Sequence, residues 1–209
     1  MIKILLADDH TLLRGSLKQL LEDTQYCQVV AQAGDYFEVI AAINQHKIDV
    51  VVLDISMPGK NGVDIVKVIK SQKPEIKVLM LSMHPEDQYA VRSLKAGASG
   101  YLTKNTAPEN LVDAIQVIAA GRKYITPELA ESLASSLTEE IEKPLHATLS
   151  DREFETIRMI ASGKKLSQIA EEMSLSPKTV SVYRARILEK MRMKSNGELT
   201  RYAIENKLI

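Results

Sequence analysis

The 209 residues carry 27 basic and 27 acidic side chains, a formal net charge of zero, on a length that suits one large domain or two smaller ones. A single cysteine, Cys27, excludes an intrachain disulfide and a cysteine-cluster metal site, and His10, His46, His84 and His146 are too scattered for zinc spacing. No apolar run approaches the roughly 20 residues that cross a bilayer, and M-I-K-I-L-L-A-D-D meets two acids too early for a signal peptide, which predicts a soluble cytoplasmic protein with no membrane partner.

Up to about Gly121 strand and helix patterns alternate five times. Ile4 to Ala7 is an apolar strand, and Thr11 to Glu22 has Leu13, Leu17, Leu20 and Leu21 at helical spacing. Val29 to Ala33 reads as strand, and Asp35 with Glu38 as a capping pair opening a helix to about Asn44. The stretch V-V-V-L-D-I-S-M-P, residues 50–58, is the most informative: an uncharged, β-branched run of a fully buried parallel strand, ending on Asp54 and stopped by Pro58. Strand three runs from Asp49 to Asp54, and Gly62 to Ser71, strand Lys77 to Ser82, helix Glu86 to Lys95, short strand Gly100 to Leu102 and helix Pro108 to Ala119 complete the set. Short strands alternating with helices imply right-handed crossovers and a five-stranded doubly wound parallel sheet.

Residues 122–146 read as a helical linker. Thr126-Pro127 opens a helix to about Leu137, and T-E-E-I-E-K-P-L-H-A-T after it is charged and lacks apolar periodicity. From Leu149 the chain is all helical, and residues 147–209 hold 12 basic against 8 acidic residues, net +4, so that the first 146 residues are net −4. A basic tail suggests a partner that carries negative charge. Ser150 with Glu153 is a capping box for a helix to about Ala161. Leu166 to Met173, a Ser174-Leu175-Ser176 turn and Pro177 to Met191 have helix-turn-helix spacing, and Leu199 to Asn206 forms a last helix.

In a sheet of strand order 2-1-3-4-5, Asp8 and Asp9 end strand one and Asp54 ends its neighbour, strand three, at the switch point. Asp54 alone is as readily a loop cap as a site, and Asp8 or Asp9 alone as readily caps the next helix. Three carboxylates in one crevice repel unless a cation neutralises them, and carboxylates with water suit Mg²⁺, with Mn²⁺ next. Ser82 after strand four and Lys104 after strand five face the same crevice. Together they can support attack of a carboxylate on phosphorus, with ammonium and hydroxyl on the phosphoryl oxygens.

Residues 1–121 resemble the receiver domain of two-component response regulators through Asp8-Asp9, L-D-I-S-M-P-G-K-N-G, Ser82, and Tyr101 and Lys104 in G-Y-L-T-K. The resemblance implies a flavodoxin-like fold and a phosphoryl group received on Asp54 from a sensor histidine kinase. It implies Mg²⁺ held by Asp8, Asp9, Asp54 and the Ile55 carbonyl, Lys104 paired with the phosphate, and Ser82 with Tyr101 as a switch pair. Many receivers place proline after this lysine; here Asn105 stands there, so no cis peptide is expected.

On Pro177–Met191, Val180, Ile187 and Met191, with Leu188 on the flank, form an apolar stripe, which turns Lys178, Val182 and Ala185 outward. Residues 147–209 are similar to the LuxR-type DNA-binding domain in L-S-x-R-E, I-A-x-G, I-A-E-E-M and S-x-K-T-V-x-x-Y-R-x-R-I, with Tyr183 where many members have histidine. Lys178, Thr179, Tyr183, Arg184, Arg186 and Lys190 are the expected phosphate contacts, and Ser181, Val182 and Ala185 the base-facing positions. Leu199, Tyr202 and Ala203 resemble a dimer helix, and read equally well as packing on their own domain. End to end the chain resembles the NarL/FixJ class: a receiver over 1–121 and a four-helix DNA-binding domain over 147–209. It implies a homodimer on double-stranded DNA when phosphorylated. A Mg²⁺-dependent aspartyl-phosphate hydrolase would need a cap and substrate pocket, for which the loops are short. A receiver used only as a dimerisation module would ignore phosphate.

Overall fold

A computed structural model describes residues 1–58, 60–83, 86–138 and 144–209. The chain forms two compact units, Met1–Leu137 and Thr138–Ile209. Among the described residues no helix is long and apolar enough to cross a membrane.

In the first unit, β1 (Ile2–Ala7), β2 (Cys27–Ala33), β3 (Val50–Asp54), β4 (Lys77–Ser82) and β5 (Gly100–Thr103) form one parallel sheet in the order β2-β1-β3-β4-β5. The helices between them are α1 (Thr11–Glu22), α2 (Tyr36–Gln45), α3 (Gly62–Gln72), α4 (Glu86–Lys95) and α5 (Ala107–Ala119). Alternation along each strand sends side chains to both faces. Ile4, Leu6, Val50, Val52, Leu79, Leu81 and Leu102 pack with Leu17 and Leu21 of α1 and Leu111, Ala114, Ile115 and Ile118 of α5. The intervening Leu5, Val51, Leu53, Val78, Met80 and Tyr101 are equally buried on the other face. Both faces are covered, as the uninterrupted apolar runs require.

Several expected boundaries shift: β1 begins at Ile2 instead of Ile4, β3 at Val50 instead of Asp49, and β5 runs on to Thr103. β2 begins at Cys27, two residues earlier than the apolar run, because Ile2 and Lys3 of β1 pair with Cys27 and Gln28. The first unit also extends past Gly121. Tyr124 forms an isolated parallel bridge to Gly100 and donates its N–H to the Ser99 carbonyl at 2.9 Å. Gly100 permits this approach, since a Cβ there would lie 2.9 Å from Tyr124 Cβ. Helix α6 (Pro127–Thr138) follows, with Leu129 buried. Residues 139–143 of the expected linker lie outside the described residues.

The second unit has a short 3-10 helix, Leu145–Thr148, then α7 (Asp151–Ala161), α8 (Leu166–Glu172), α9 (Pro177–Lys190) and α10 (Asn196–Glu205). Ser150 and Glu153 form the expected capping box on α7. α8 ends where Ser174 takes a left-handed φ of 54°, and α9 opens with Ser176 accepting the Thr179 N–H and Pro177 in the first turn. The core is Phe154, Ile157, Ile169, Met173, Val180, Ile187, Met191, Leu199 and Ala203. α10 starts three residues before Leu199. Ser195 caps it by accepting the Glu198 N–H at 3.2 Å, and Glu198 returns a carboxylate to the Lys194 N–H at 2.9 Å. Asn196 and Gly197, poor helix formers, concealed that start.

Candidate functional site

The C-terminal ends of β1 and β3 lie side by side, with Ala7 paired to Leu53, so Asp8 and Asp54 emerge next to one another. Both carboxylates are almost wholly buried, at 3% and 2% exposure. Lys104, delivered by the loop after β5, places Nζ 2.7 Å from Asp8 Oδ2 and 3.0 Å from Asp54 Oδ2. The Lys104 N–H donates to the Ser82 carbonyl at 2.7 Å, which ties this loop to the end of β4. Burial pushes the Asp54 carboxyl up to about 6; Lys104 opposes this, and the charges of Asp8 and Asp9 add to it. Burial works to lower the Lys104 ammonium, but Asp54 and Asp8 outweigh it and hold its pKa above the ordinary lysine value.

Donor atoms of Asp8, Asp9, His10 and Asp54 lie within 4.8 Å of one another. Asp8 Oδ2 and Asp54 Oδ2 are buried, and among the described residues it is the Lys104 ammonium that faces them both. A hard divalent cation fits this oxygen-rich set. The Ile55 carbonyl, expected among its ligands, accepts the Gly62 N–H at 2.8 Å, which leaves its second lone pair for a cation. Gly62 allows that closeness: a Cβ there would lie 2.4 Å from the Asp54 carbonyl oxygen. Asn61, also buried, caps α3 by accepting the Val63 N–H at 2.9 Å.

Ser82 and Tyr101 are both buried and, by strand alternation, lie on the same face of the sheet on adjacent strands. Ser82 stands opposite Thr103, and Tyr101 opposite Met80, one alternation further from the crevice.

In the second unit the outer face of α9 carries exposed Lys178, Ser181, Val182, Ala185 and Arg186, while Thr179, Tyr183 and Arg184 are half-buried. Two of the expected phosphate contacts also have partners within the domain. Lys190 Nζ lies 2.6 Å from Glu153 Oε2, and Arg184 Nε donates to Asn196 Oδ1 at 2.6 Å, joining α9 to the start of α10. Leu199 and Ala203 are fully buried in the domain core, and Tyr202 is half-buried with its hydroxyl 3.0 Å from His146 Nδ1. The domain-packing alternative therefore holds for Leu199 and Ala203, because side chains consumed by their own core cannot also form a dimer face; Tyr202 keeps part of its surface open.

Residues 4–116 match the response regulator receiver domain, and residues 147–203 the LuxR family of bacterial regulatory proteins. The chain belongs to the two-component response regulators. It is 37% identical over 210 residues to the response regulator UvrY of Escherichia coli K12, covering all of this chain and 96% of that one. It is 37% identical over 211 residues to the response regulator GacA of Pseudomonas aeruginosa, covering all of this chain and 98% of that one. Among solved structures it resembles a chain from a structure of two RcsB dimers bound to two parallel DNAs, with a TM-score of 0.60, 25% identity and 96% of each chain covered. The family is one of transcription-regulating proteins of the NarL/FixJ class, not of enzymes.

This response regulator uses residues around its crevice that spacing alone did not single out. Arg14, on α1, donates from its guanidinium to the Asp8 carbonyl and to Gln32 Oε1. His10 Nδ1 lies 2.8 Å from Asp9 Oδ1. The Pro58 carbonyl accepts the Tyr36 N–H at 3.3 Å and Lys60 Nζ sits 4.7 Å from the Tyr36 ring centre, so the loop after Asp54 is tied to α2. The signal available for His10 was its place directly after the paired aspartates.

Proposed function

We propose that this regulator is switched by phosphorylation of Asp54 by a sensor histidine kinase and then binds promoter DNA as a dimer. The observation that carries the reading is the Lys104 ammonium set between the buried carboxylates of Asp8 and Asp54. With a pKa of about 6, Asp54 is predominantly ionised at neutral pH and able to act as nucleophile. Its oxygen attacks the phosphorus of a phosphohistidine; the new O–P bond forms as the P–N bond breaks, and the imidazole keeps the electron pair. Lys104 then stands beside the phosphoryl oxygens with a compensating charge. Mg²⁺, held by Asp8, Asp9 and Asp54, supplies further neutralisation of those oxygens when bound. Ser82, at the mouth of the crevice, donates its hydroxyl to the phosphoryl group. Tyr101, on the same sheet face, reads that movement and relays it to the face of α4, β5 and α5.

The output rests on α9, whose exposed Lys178, Ser181, Val182, Ala185 and Arg186 suit entry into a major groove, with half-buried Thr179 and Tyr183 at its edge. Small base-facing side chains leave much of the specificity to water and DNA shape. The dimeric, DNA-bound RcsB assembly supports two recognition helices on half-sites about one helical turn apart. The outward side of α10, with Arg201 and Ile204, is the dimer face, in place of Leu199 and Ala203. A promoter target implies a cytoplasmic location.

The test treats wild type and Asp54→Ala with a radiolabelled small phosphodonor and Mg²⁺, then measures operator binding of each. Labelling confined to wild type, with tighter DNA binding after labelling, is expected. Equal labelling of the two proteins sinks the phosphoacceptor assignment.

A further inference from the structure

The turn between α9 and α10 is closed on each helix separately. At the end of α9 the Arg192 N–H donates to the Glu189 carbonyl at 3.1 Å and the Met193 N–H to the Leu188 carbonyl at 2.9 Å, with Arg192 at a left-handed φ of 54°. At the start of α10, Ser195 and Glu198 cap the first turn through the Glu198 and Lys194 N–H groups. One set of bonds ends at Met193 and the other begins at Lys194, so the link between those two residues is a joint between the helices. Both helices also pack on α7. Apolar packing is non-directional and decides which faces meet, whereas a hydrogen bond has a direction and can set an angle.

Arg184 crosses that joint. Its half-buried side chain donates from Nε to Oδ1 of Asn196, in the first turn of α10, at 2.6 Å. A bond from a charged donor is a strong one, and the planar guanidinium fixes its direction. Arg184 stands seven residues before Met191, about 10 Å along the helix axis, so the bond acts on a long arm and a small shift at the joint strains it. The outward side of α9 carries Lys178, Ser181, Val182 and Ala185, and that of α10 carries Arg201 and Ile204. One bond thus ties the helix that suits a major groove to the helix that suits a second copy.

We infer that Arg184 is a positioning residue: through Asn196 it fixes the angle between α9 and α10, and with it the half-site spacing that a dimer accepts, instead of holding a DNA phosphate. The inference rests on the dimer face proposed for α10. In a two-fold dimer whose half-sites lie about 34 Å apart, each recognition helix sits roughly 17 Å from the axis. A tilt of about 10° then moves it by about 3 Å, close to the rise of one base pair. The loss of one angular restraint is therefore enough to blur the spacing by a base pair.

The experiment uses full-length wild type, Arg184→Gln, Asn196→Ala and Asn196→Asp, each with and without the small phosphodonor. The probes are duplexes that wild type selects from a random-sequence pool, built with one half-site or with two inverted copies at centre-to-centre spacings of about 8 to 13 base pairs. Arg184→Gln and Asn196→Ala should each bind the best-spaced pair about five- to tenfold more weakly than wild type, and the double variant no worse than either. Their affinity for the single half-site should change by less than about threefold, with nearly equal binding one base pair to either side of the best spacing. Asn196→Asp should keep the wild-type spacing preference, because an ion pair replaces the bond. A salt slope about one lower in Arg184→Gln alone, with equal loss on single and paired half-sites, marks a phosphate contact and overturns the inference. A wild-type spacing preference that Arg184→Gln and Asn196→Ala both retain overturns it too. Wild type that gains nothing from a second half-site overturns the dimer reading, and the inference with it.

Discussion

Lys104 Nζ lies 3.0 Å from Asp54 Oδ2, with both side chains almost wholly buried. The ammonium also contacts Asp8, so one cation is shared between two anions and neither carboxylate is fully compensated. Burial is the main reason that the Asp54 pKa is raised despite the neighbouring lysine, and the charges of Asp8 and Asp9 add to it. The crevice is thus arranged to receive positive charge and phosphoryl oxygens at the expense of resting stability.

Asp54→Asn should therefore stabilise the protein at neutral pH. A carboxyl raised from 3.8 to about 6 keeps its proton longer in the folded than in the unfolded chain. Wild-type stability then falls as pH rises through that window, and the loss is complete above it. The neutral variant escapes this, gaining about 1–3 kcal/mol at pH 7.5 and almost nothing at pH 4. Chemical denaturation at the two pH values checks it. A variant less stable than wild type at pH 7.5 would contradict the assignment of a strained carboxylate.

Lys104→Met removes the cation that Asp8 and Asp54 share. Leaving two buried carboxylates facing each other should cost about 3 kcal/mol at pH 7.5. The cost should shrink toward pH 4 as Asp54 takes up its proton, whereas the Asp54→Asn gain shrinks over the same range. Thermal melts in Mg²⁺ should recover part of the loss, since a cation can replace the ammonium's charge.

Gly62→Ala tests the junction behind the phosphoacceptor. A Cβ at this position meets backbone at 2.4 Å and 2.8 Å, so the start of α3 must shift away from β3. We expect a destabilisation of about 1–3 kcal/mol and slower phosphorylation, because the Gly62 to Ile55 hydrogen bond sets the path of the loop leaving Asp54. Gly15, whose added Cβ meets nothing within 4 Å, is the matched control. Stopped-flow labelling and urea titration of both variants separate the effects.

Lys178 and Lys190 occupy the two ends of α9, and their alanine variants should behave differently. Lys178 is exposed on the outward face; its loss should reduce the salt slope of DNA binding by about one, with unchanged stability. Lys190 is bound to the nearly buried Glu153. Although burial raises the Glu153 carboxyl, the Lys190 and Ser150 hydrogen bonds outweigh it and hold the pKa below the ordinary glutamate range. The stability this contributes is present at neutral pH and disappears as pH falls through that depressed value. Lys190→Ala should therefore lower the melting temperature at pH 7 more than at pH 3, with a smaller change in salt slope. Equal salt slopes for the two variants would return Lys190 to the DNA interface.

Much of the architecture was legible from residue order. Strand β4, Lys77–Ser82, and helices α1, Thr11–Glu22, and α4, Glu86–Lys95, have the expected limits because apolar period and charged flanks change together there. The carboxylates at the ends of strands one and three converge because the parallel sheet order leaves them adjacent. Illegible parts depended on contacts distant in sequence. Tyr124 joins the first unit only because Gly100 lacks a side chain, and the start of α10 depends on Ser195 overriding two weak helix formers.

The sequence by itself determined the class of fold, the charged residues available to the crevice and the apolar stripe of α9, because periodicity and strand-end position are local properties of a chain. Tertiary structure decided which of those charges are already spent. It gave Lys104 to two carboxylates at once, paired Lys190 with Glu153 and Arg184 with Asn196, and buried Leu199 and Ala203. Partnership is a matter of distance in space, and burial alters the strength of each partnership by removing the water that would otherwise screen it.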